Sequence, residues 1–236
     1  DMLEKQLPGV RILRMDMDTV RKKGSHEKIL QKFSNAKADI LLGTQMIAKG
    51  LDFENVTLVG IINADSGLFF PDFRAGERVF QLIYQVAGRA GRREKPGRVI
   101  IQTYNPDDIY IQTASSLDTS KFYNIAMAQR QELNYPPFSR IGRIIFSGYK
   151  KAIVMKVAEQ IYKKIYGNKE YLILGPAPAP LEKIKNKWRV QLIIKTQKKQ
   201  RGSIHTFIYK NIGFSIFERS WKGVRIQIDI DPISMM

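Results

Sequence analysis

Gln85-Val86-Ala87-Gly88-Arg89-Ala90-Gly91-Arg92 sets two arginines three residues apart between glycines, at the end of an amphipathic pattern. That spacing suits a guanidinium delivered to the terminal phosphate of a nucleotide. The task needs a side chain that stays charged, a planar fork of donors and a backbone clear enough for close approach. Arginine supplies the first two and glycine the third. A helix ending in a Gly-rich basic turn would carry the same letters, so the octet alone decides little.

Upstream, the apolar run Ile40-Leu41-Leu42 ends at Gly43 and is followed by Thr44-Gln45-Met46-Ile47-Ala48-Lys49-Gly50-Leu51-Asp52. A strand that stops in small and hydroxylated residues exposes its carboxyl end, where open α/β sheets bind ligands. Thr, then Gly six residues on and Asp two beyond it, followed after a strand and a helix by Gln-x-x-Gly-Arg-x-Gly-Arg, resembles motifs V and VI of superfamily 2 helicases. The resemblance narrows along the chain. Met15-Asp16-Met17-Asp18-Thr19, the stretch from Gly43 to Phe53, Pro71-Asp72-Phe73-Arg74-Ala75-Gly76-Glu77-Arg78, Gln102-Thr103-Tyr104-Asn105-Pro106 and Gly175-Pro176-Ala177-Pro178-Ala179-Pro180 look like the bacterial primosomal replication-restart helicases, in that family's order.

Around these motifs, residues 1–104 alternate short apolar strands (10–15, 39–43, 56–64, 97–104) with helical patterns (25–35, 74–86). That alternation predicts a mainly parallel sheet with helices on both faces, and the helicase resemblance implies a RecA-like lobe over 1–106. In the helix before the arginines, Val79, Leu82, Ile83 and Val86 recur at core spacing, while Arg78, Gln85 and Arg89 lie off that stripe. A helical connector spans 107–137 and is closed by Pro136-Pro137, which no helix can continue through. Residues 138–236 then read strand 140–146, helix 151–166, strand 171–174, strand 188–195, helix 198–211 and strand 224–229. This βαββαβ order predicts a small α+β domain of the ferredoxin-like kind, similar by resemblance to ribosomal protein S10.

Charge divides the chain unevenly. Residues 1–135 hold 19 Lys/Arg and 16 Asp/Glu, and residues 136–236 hold 20 and 6, so most of the net +17 lies in the second part. A field of that kind recruits polyanions through phosphate contacts and counterion release. No apolar amphipathic anchor accompanies it, which argues for nucleic acid over an anionic membrane surface. Lys183, Lys185, Lys187, Arg189 and Lys195 are the candidate DNA contacts; alternation along 188–195 puts Arg189 and Lys195 on one face and Trp188, Val190, Leu192 and Ile194 on the other. Trp188 is therefore read as core rather than as a base-stacking platform. Phe69, Phe70 and Phe73, in an irregular stretch over 66–73, suit either base stacking or folding back onto the protein.

The chain has no cysteine, and His26 and His205 stand far apart among polar residues, so no metal site is expected in it. No signal peptide or membrane-spanning run is legible, and a cytoplasmic protein without membrane contact is expected.

The resemblance implies roles residue by residue. Arg89 and Arg92 would contact ATP phosphates, one as the finger, with Gln85 positioning the γ-phosphate or attacking water. Gly50, Asp52 and Gly88 would border the nucleotide. Thr44 would bind a DNA backbone phosphate, with Gln45 and Lys49 beside it. ATP and Mg²⁺ are the implied cofactors. Their remaining ligands are expected on a first motor lobe, since the chain holds no Gly-x-x-x-x-Gly-Lys-Ser/Thr and no Asp-Glu-x-His or Asp-Glu-x-Asp. A zinc module is implied for the whole family protein, outside this chain. The expectation is a fragment of a 3′-to-5′ DNA helicase acting at stalled or branched forks, inactive alone, with DNA, primosome proteins and single-strand-binding protein as partners and a part in replication and repair. A non-catalytic nucleic-acid-binding module and an RNA helicase lobe are the alternatives. Asp72, Arg74, Glu77 and Arg78 match a family motif whose role the sequence does not disclose.

Overall fold

The structure is a computed structural model. It describes residues 2–16, 19, 24–44, 53, 55–88, 97–168, 170–197, 203–212, 221 and 223–235. The chain divides into two compact units: Asp1–Leu68 with Gly76–Thr119, and Phe69–Ala75 with Ser120–Met236. The division at Thr119–Ser120 falls inside the expected helical connector, which forms two helices. Less foreseeable is the short segment Phe69–Ala75, which belongs to the second unit although the chain on both sides of it belongs to the first.

In the first unit α1 (Met2–Gln6) precedes β1 (Ile12–Met15), α2 (Ser25–Ser34), β2 (Ile40–Gly43), β3 (Leu58–Ile61), a 3₁₀ turn (Ala64–Gly67), α3 (Ala75–Ala87), β4 (Arg98–Ile101) and α4 (Ile109–Ser115). β1 pairs in parallel with β2, and β3 in parallel with β4. Parallel neighbours need a crossover rather than a hairpin, and α2 and α3 lie in the two crossovers. The sequence predicted one parallel sheet; the described strands instead form two two-stranded parallel sheets. α3 buries Val79, Phe80 and Ile83 on one stripe. Its second residue, Gly76, lies against the Tyr110 ring of α4 so closely that a Cβ would stand 2.3 Å from it, so this motif position has no room for a side chain. α4 itself starts at Asp108, whose carboxylate accepts from the amides of Tyr110 and Ile111 and so satisfies two orphan helix donors.

In the second unit α5 (Thr119–Glu132) leads to β5 (Ser139–Gly148), α6 (Lys151–Ile165), β6 (Tyr171–Ile184), β7 (Lys187–Gln197), α7 (Ile204–Ile212) and β8 (Arg225–Ile230). The four strands form one antiparallel sheet in the order β6-β7-β5-β8. α6 contributes Val154, Val157, Ala158, Ile161 and Ile165, and α7 contributes Ile204, Phe207, Ile208 and Ile212, to a core shared with Ile144, Phe146, Val190, Leu192 and Ile194. Each such aliphatic side chain, fully buried, supplies roughly 1.5–3 kcal/mol. One strand is much longer than the sequence suggests: β6 runs through Gly175–Pro180 to Ile184 with two register shifts. β6 lies at the sheet edge, where a residue without an N–H costs no interior ladder bond. Gly175 makes the first shift possible. Its φ is +98°, and a Cβ there would stand 2.7 Å from the Gln191 carbonyl oxygen.

Candidate nucleic-acid interface

At the end of α3 the apolar stripe turns inward and leaves Gln85 and Gly88 exposed, the Gly88 amide donating to the Tyr84 carbonyl at 3.2 Å. Thr44 is exposed immediately after β2, at the carboxyl end of a strand in a parallel pair, where its hydroxyl is available to a ligand. Gln45, Lys49, Gly50, Asp52, Arg89 and Arg92 lie outside the described residues.

A buried carboxylate that the sequence reading missed organises the same unit. Asp65 is 2% exposed and accepts from Thr103 Oγ1 (2.9 Å), the Tyr104 amide (2.9 Å), the Asn105 amide (3.2 Å) and Asn105 Nδ2 (2.7 Å). Burial alone would raise its pKa, but the bonds from Asn105, Tyr104 and Thr103 outweigh that and hold it at about 2. The Gln102-to-Pro106 motif thus wraps a structural anion, and its polar letters serve the fold. The clue in the sequence was Thr-x-Asn directly after a strand, a cluster of side-chain donors.

In the second unit the tip of the β6–β7 hairpin gathers the cations. Lys185 and Asn186 both have positive φ, 47° and 64°, the geometry of a tight primed hairpin turn. Lys183 sits opposite Trp188 in register and rests its ammonium 5.0 Å from the ring centroid; Lys151, at the start of α6, lies 4.9 Å from the same ring and pairs with Glu182. Lys187 lies 5.4 Å from the Tyr149 ring. Lys183 and Lys185 are exposed and Lys187 half-buried, and none of the three has a carboxylate partner among the described residues. Arg189 is half-buried and donates to the Leu181 carbonyl at 3.2 Å, so its fork is partly committed to the hairpin.

Two sequence expectations are corrected here. Lys195 is not a surface contact: it is 7% exposed, donates to the Leu133 carbonyl at 3.3 Å and lies 3.5 Å from the Tyr135 ring centroid. Burial lowers its pKa. The polar face of β7 is covered there by the segment that follows α5, which strand alternation cannot reveal. Trp188, expected in the core, is only half-buried and stands outside the buried cluster, at the end of the strand among lysines.

The aromatic stretch divides. Phe69 and Phe70 are exposed, whereas Phe73 stacks on Tyr135 with centroids 4.6 Å apart and planes at 9°. The guanidiniums of Arg74 and Arg130 lie 4.5 and 5.2 Å from the Phe73 ring. Around it the motif residues grip backbone. Arg74 donates to the carbonyls of Pro232 (3.0 Å) and Ile233 (2.6 Å), and Asp72 accepts from the Met235 amide (3.1 Å). Asp72 and Arg74 therefore hold residues 232–235 to the segment that carries Phe73. No group of three or more metal-ligating side chains gathers among the described residues. No described helix is long and apolar enough to cross a membrane.

Comparison with known proteins adds to this geometry. The model of the helicase conserved C-terminal domain matches residues 1–94, and that of the primosomal protein N C-terminal domain matches residues 131–233. The replication restart protein PriA of Bacillus subtilis is 47% identical over 99% of this chain and 29% of its own length. PriA of Chlamydia muridarum is 41% identical over 99% of this chain and 30% of its own, and PriA of Borreliella burgdorferi 40% over 99% and 35%. The chain thus spans about three tenths of the length of the curated relatives it matches. The C-terminal domain of the DEAD-box protein Dbp5 superposes with a TM-score of 0.33 at 17% identity over 54% of this chain and 72% of that one, too distant to build on. With both units matched in order along nearly its whole length, the chain matches the C-terminal region of the replication restart protein PriA.

Proposed function

We propose that this chain supplies the second motor lobe and the basic DNA-binding domain of an ATP-dependent, 3′-to-5′ DNA helicase that engages stalled or branched forks and restarts replication through primosome assembly, with a part in DNA repair. The cytoplasm is its proposed site, and primosome proteins and single-strand-binding protein are its proposed partners beside DNA. In this reading the first unit forms half of a nucleotide site, with exposed Gln85 and Gly88 leading into Arg89 and Arg92. ATP with Mg²⁺ would supply the free energy of phosphoryl transfer. Arginine at that place would hold the terminal phosphate, Gln85 would orient the nucleophile, Gly50 and Asp52 would border the nucleotide, and Thr44, Gln45 and Lys49 would face the DNA backbone. Zinc, where the whole protein holds it, would sit outside this chain. The second unit would be a ferredoxin-like, S10-like module, supported by its βαββαβ order and the strand order β6-β7-β5-β8.

The single observation that carries the DNA reading is the hairpin tip, where Lys183, Lys185 and Lys187 stand without carboxylate partners among the described residues, in the part of the chain that holds most of the net charge. Point charges on a turn suit phosphates and do not read base edges. The test is the salt dependence of binding to forked DNA by this chain and by Lys183→Ala/Lys185→Ala/Lys187→Ala. The slope of log K against log salt should flatten by up to about 3 units, at roughly 0.9 per phosphate neutralised, with little dependence on base sequence. An unchanged slope would move the DNA path elsewhere, first to Lys156, Lys163 and Lys164 of α6. For the motor, Arg92→Ala in an assembly that includes a first lobe should lower kcat on the order of ~10³-fold with DNA affinity kept. The reverse pattern would make the arginine a DNA contact.

A further inference from the structure

Tyr149 is an exposed aromatic residue beside the hairpin tip. It follows β5 directly, is 68% exposed, and has the Lys187 ammonium 5.4 Å from its ring centroid. Register places its neighbour Gly148 opposite Trp188, so the two aromatic residues lie at the same end of the sheet. Ile153, Leu181 and Ile184 are exposed on the flanking elements, which makes this end apolar as well as basic. A surface that combines uncovered apolar side chains with cations is a binding surface by composition.

We propose that this end of the sheet is a site for an unpaired DNA base, which stacks on Tyr149 while Lys187 takes a flanking phosphate. The proposal rests on the DNA-binding reading above and deepens it. One observation and two consequences of it carry the site. The lysine ammoniums are parked on aromatic rings, a weak contact at exposed sites. A phosphate offers the charge-assisted bond that displaces them. Displacing Lys187 leaves the Tyr149 ring free, so phosphate capture and ring exposure occur together. Within a duplex, neighbouring bases cover each π face; an unpaired base presents its own, and a ring set among cations is the arrangement that holds single strands without reading sequence. The charge selects the occupant. Glu182 of β6 is already bound by Lys151, and among the described residues Lys183 and Lys187 have no carboxylate partner, so they call for a polyanion.

The experiment compares three ligands on this chain by fluorescence anisotropy: a short oligothymidylate, the same oligomer carrying abasic sites, and a duplex of equal length. Tyr149→Ala should weaken the oligothymidylate about fivefold or more, the cost of losing one base stack, and leave the duplex and the abasic oligomer unchanged. Tyr149→Phe keeps the ring and should bind as the unsubstituted chain does. The side chain is largely outside the core, so the thermal midpoint should hold in both variants. Equal losses on all three ligands, or none on the oligothymidylate, would overturn the stacking site while the salt-dependent DNA binding stands. Failure of the unsubstituted chain to bind any of the three would overturn the DNA reading itself.

Discussion

Phe73→Ala tests whether the segment Phe69–Ala75 is held to the second unit by its aromatic contact. A fully buried Phe→Ala change costs about 3–5 kcal/mol; Phe73 is half-buried, which brings the packing loss to about 2 kcal/mol. The near-parallel ring of Tyr135 at 4.6 Å adds ~0.5–1.5 kcal/mol, and the two guanidiniums over Phe73 somewhat less, because they remain partly in water. The expected loss is about 3–4 kcal/mol. Both tryptophans, Trp188 and Trp221, lie in the second unit, so urea unfolding followed by their fluorescence reads that unit alone. Phe69→Ala is the matched control, since Phe69 is 76% exposed and its loss should stay within about 0.5 kcal/mol. Combining Phe73→Ala with Tyr135→Ala should show coupling of about 0.5–1.5 kcal/mol. Losses that simply add, or a Phe73→Ala change no larger than that of the control, would refute the stack as the anchor.

Asp65 makes the first unit acid-sensitive in a defined window. Its folded pKa of about 2 lies below the ordinary value of 3.8, so its contribution is present above about pH 4 and is lost as pH falls toward 2. The gap in thermal midpoint between the unsubstituted chain and Asp65→Asn, followed by far-ultraviolet circular dichroism, should close over that window; a gap independent of pH would show that the carboxylate is not the anchor. Lys195 separates buried from surface charge. Lys195→Met, which keeps the apolar stem, should leave the salt slope of DNA binding within ~0.3 units, since a buried ammonium neutralises no phosphate. A slope reduced by about 1 unit would restore Lys195 to the DNA contacts.

What was legible in the sequence follows from the range of the forces involved. α3 and the βαββαβ order were readable because burial on one face writes a period into neighbouring letters: Val79 and Ile83 on a helix, Val190, Leu192 and Ile194 on a strand. The same rule failed at Lys195, because alternation tells which residues share a face and not what covers it. The cover is the Leu133 carbonyl and the Tyr135 ring, about sixty residues away in the chain. It failed again over Gly175–Pro180, where prolines read locally as a stop but an edge strand tolerates them. Most opaque was the Asp72-Phe73-Arg74 motif. Its side chains bind main-chain groups of residues 232–235, and a backbone carbonyl or amide is offered by every residue type, so the partner segment carries no complementary letters. Side chains that capture backbone leave a pattern on one side only, which is why the motif could be recognised in the sequence and yet explained only from the fold.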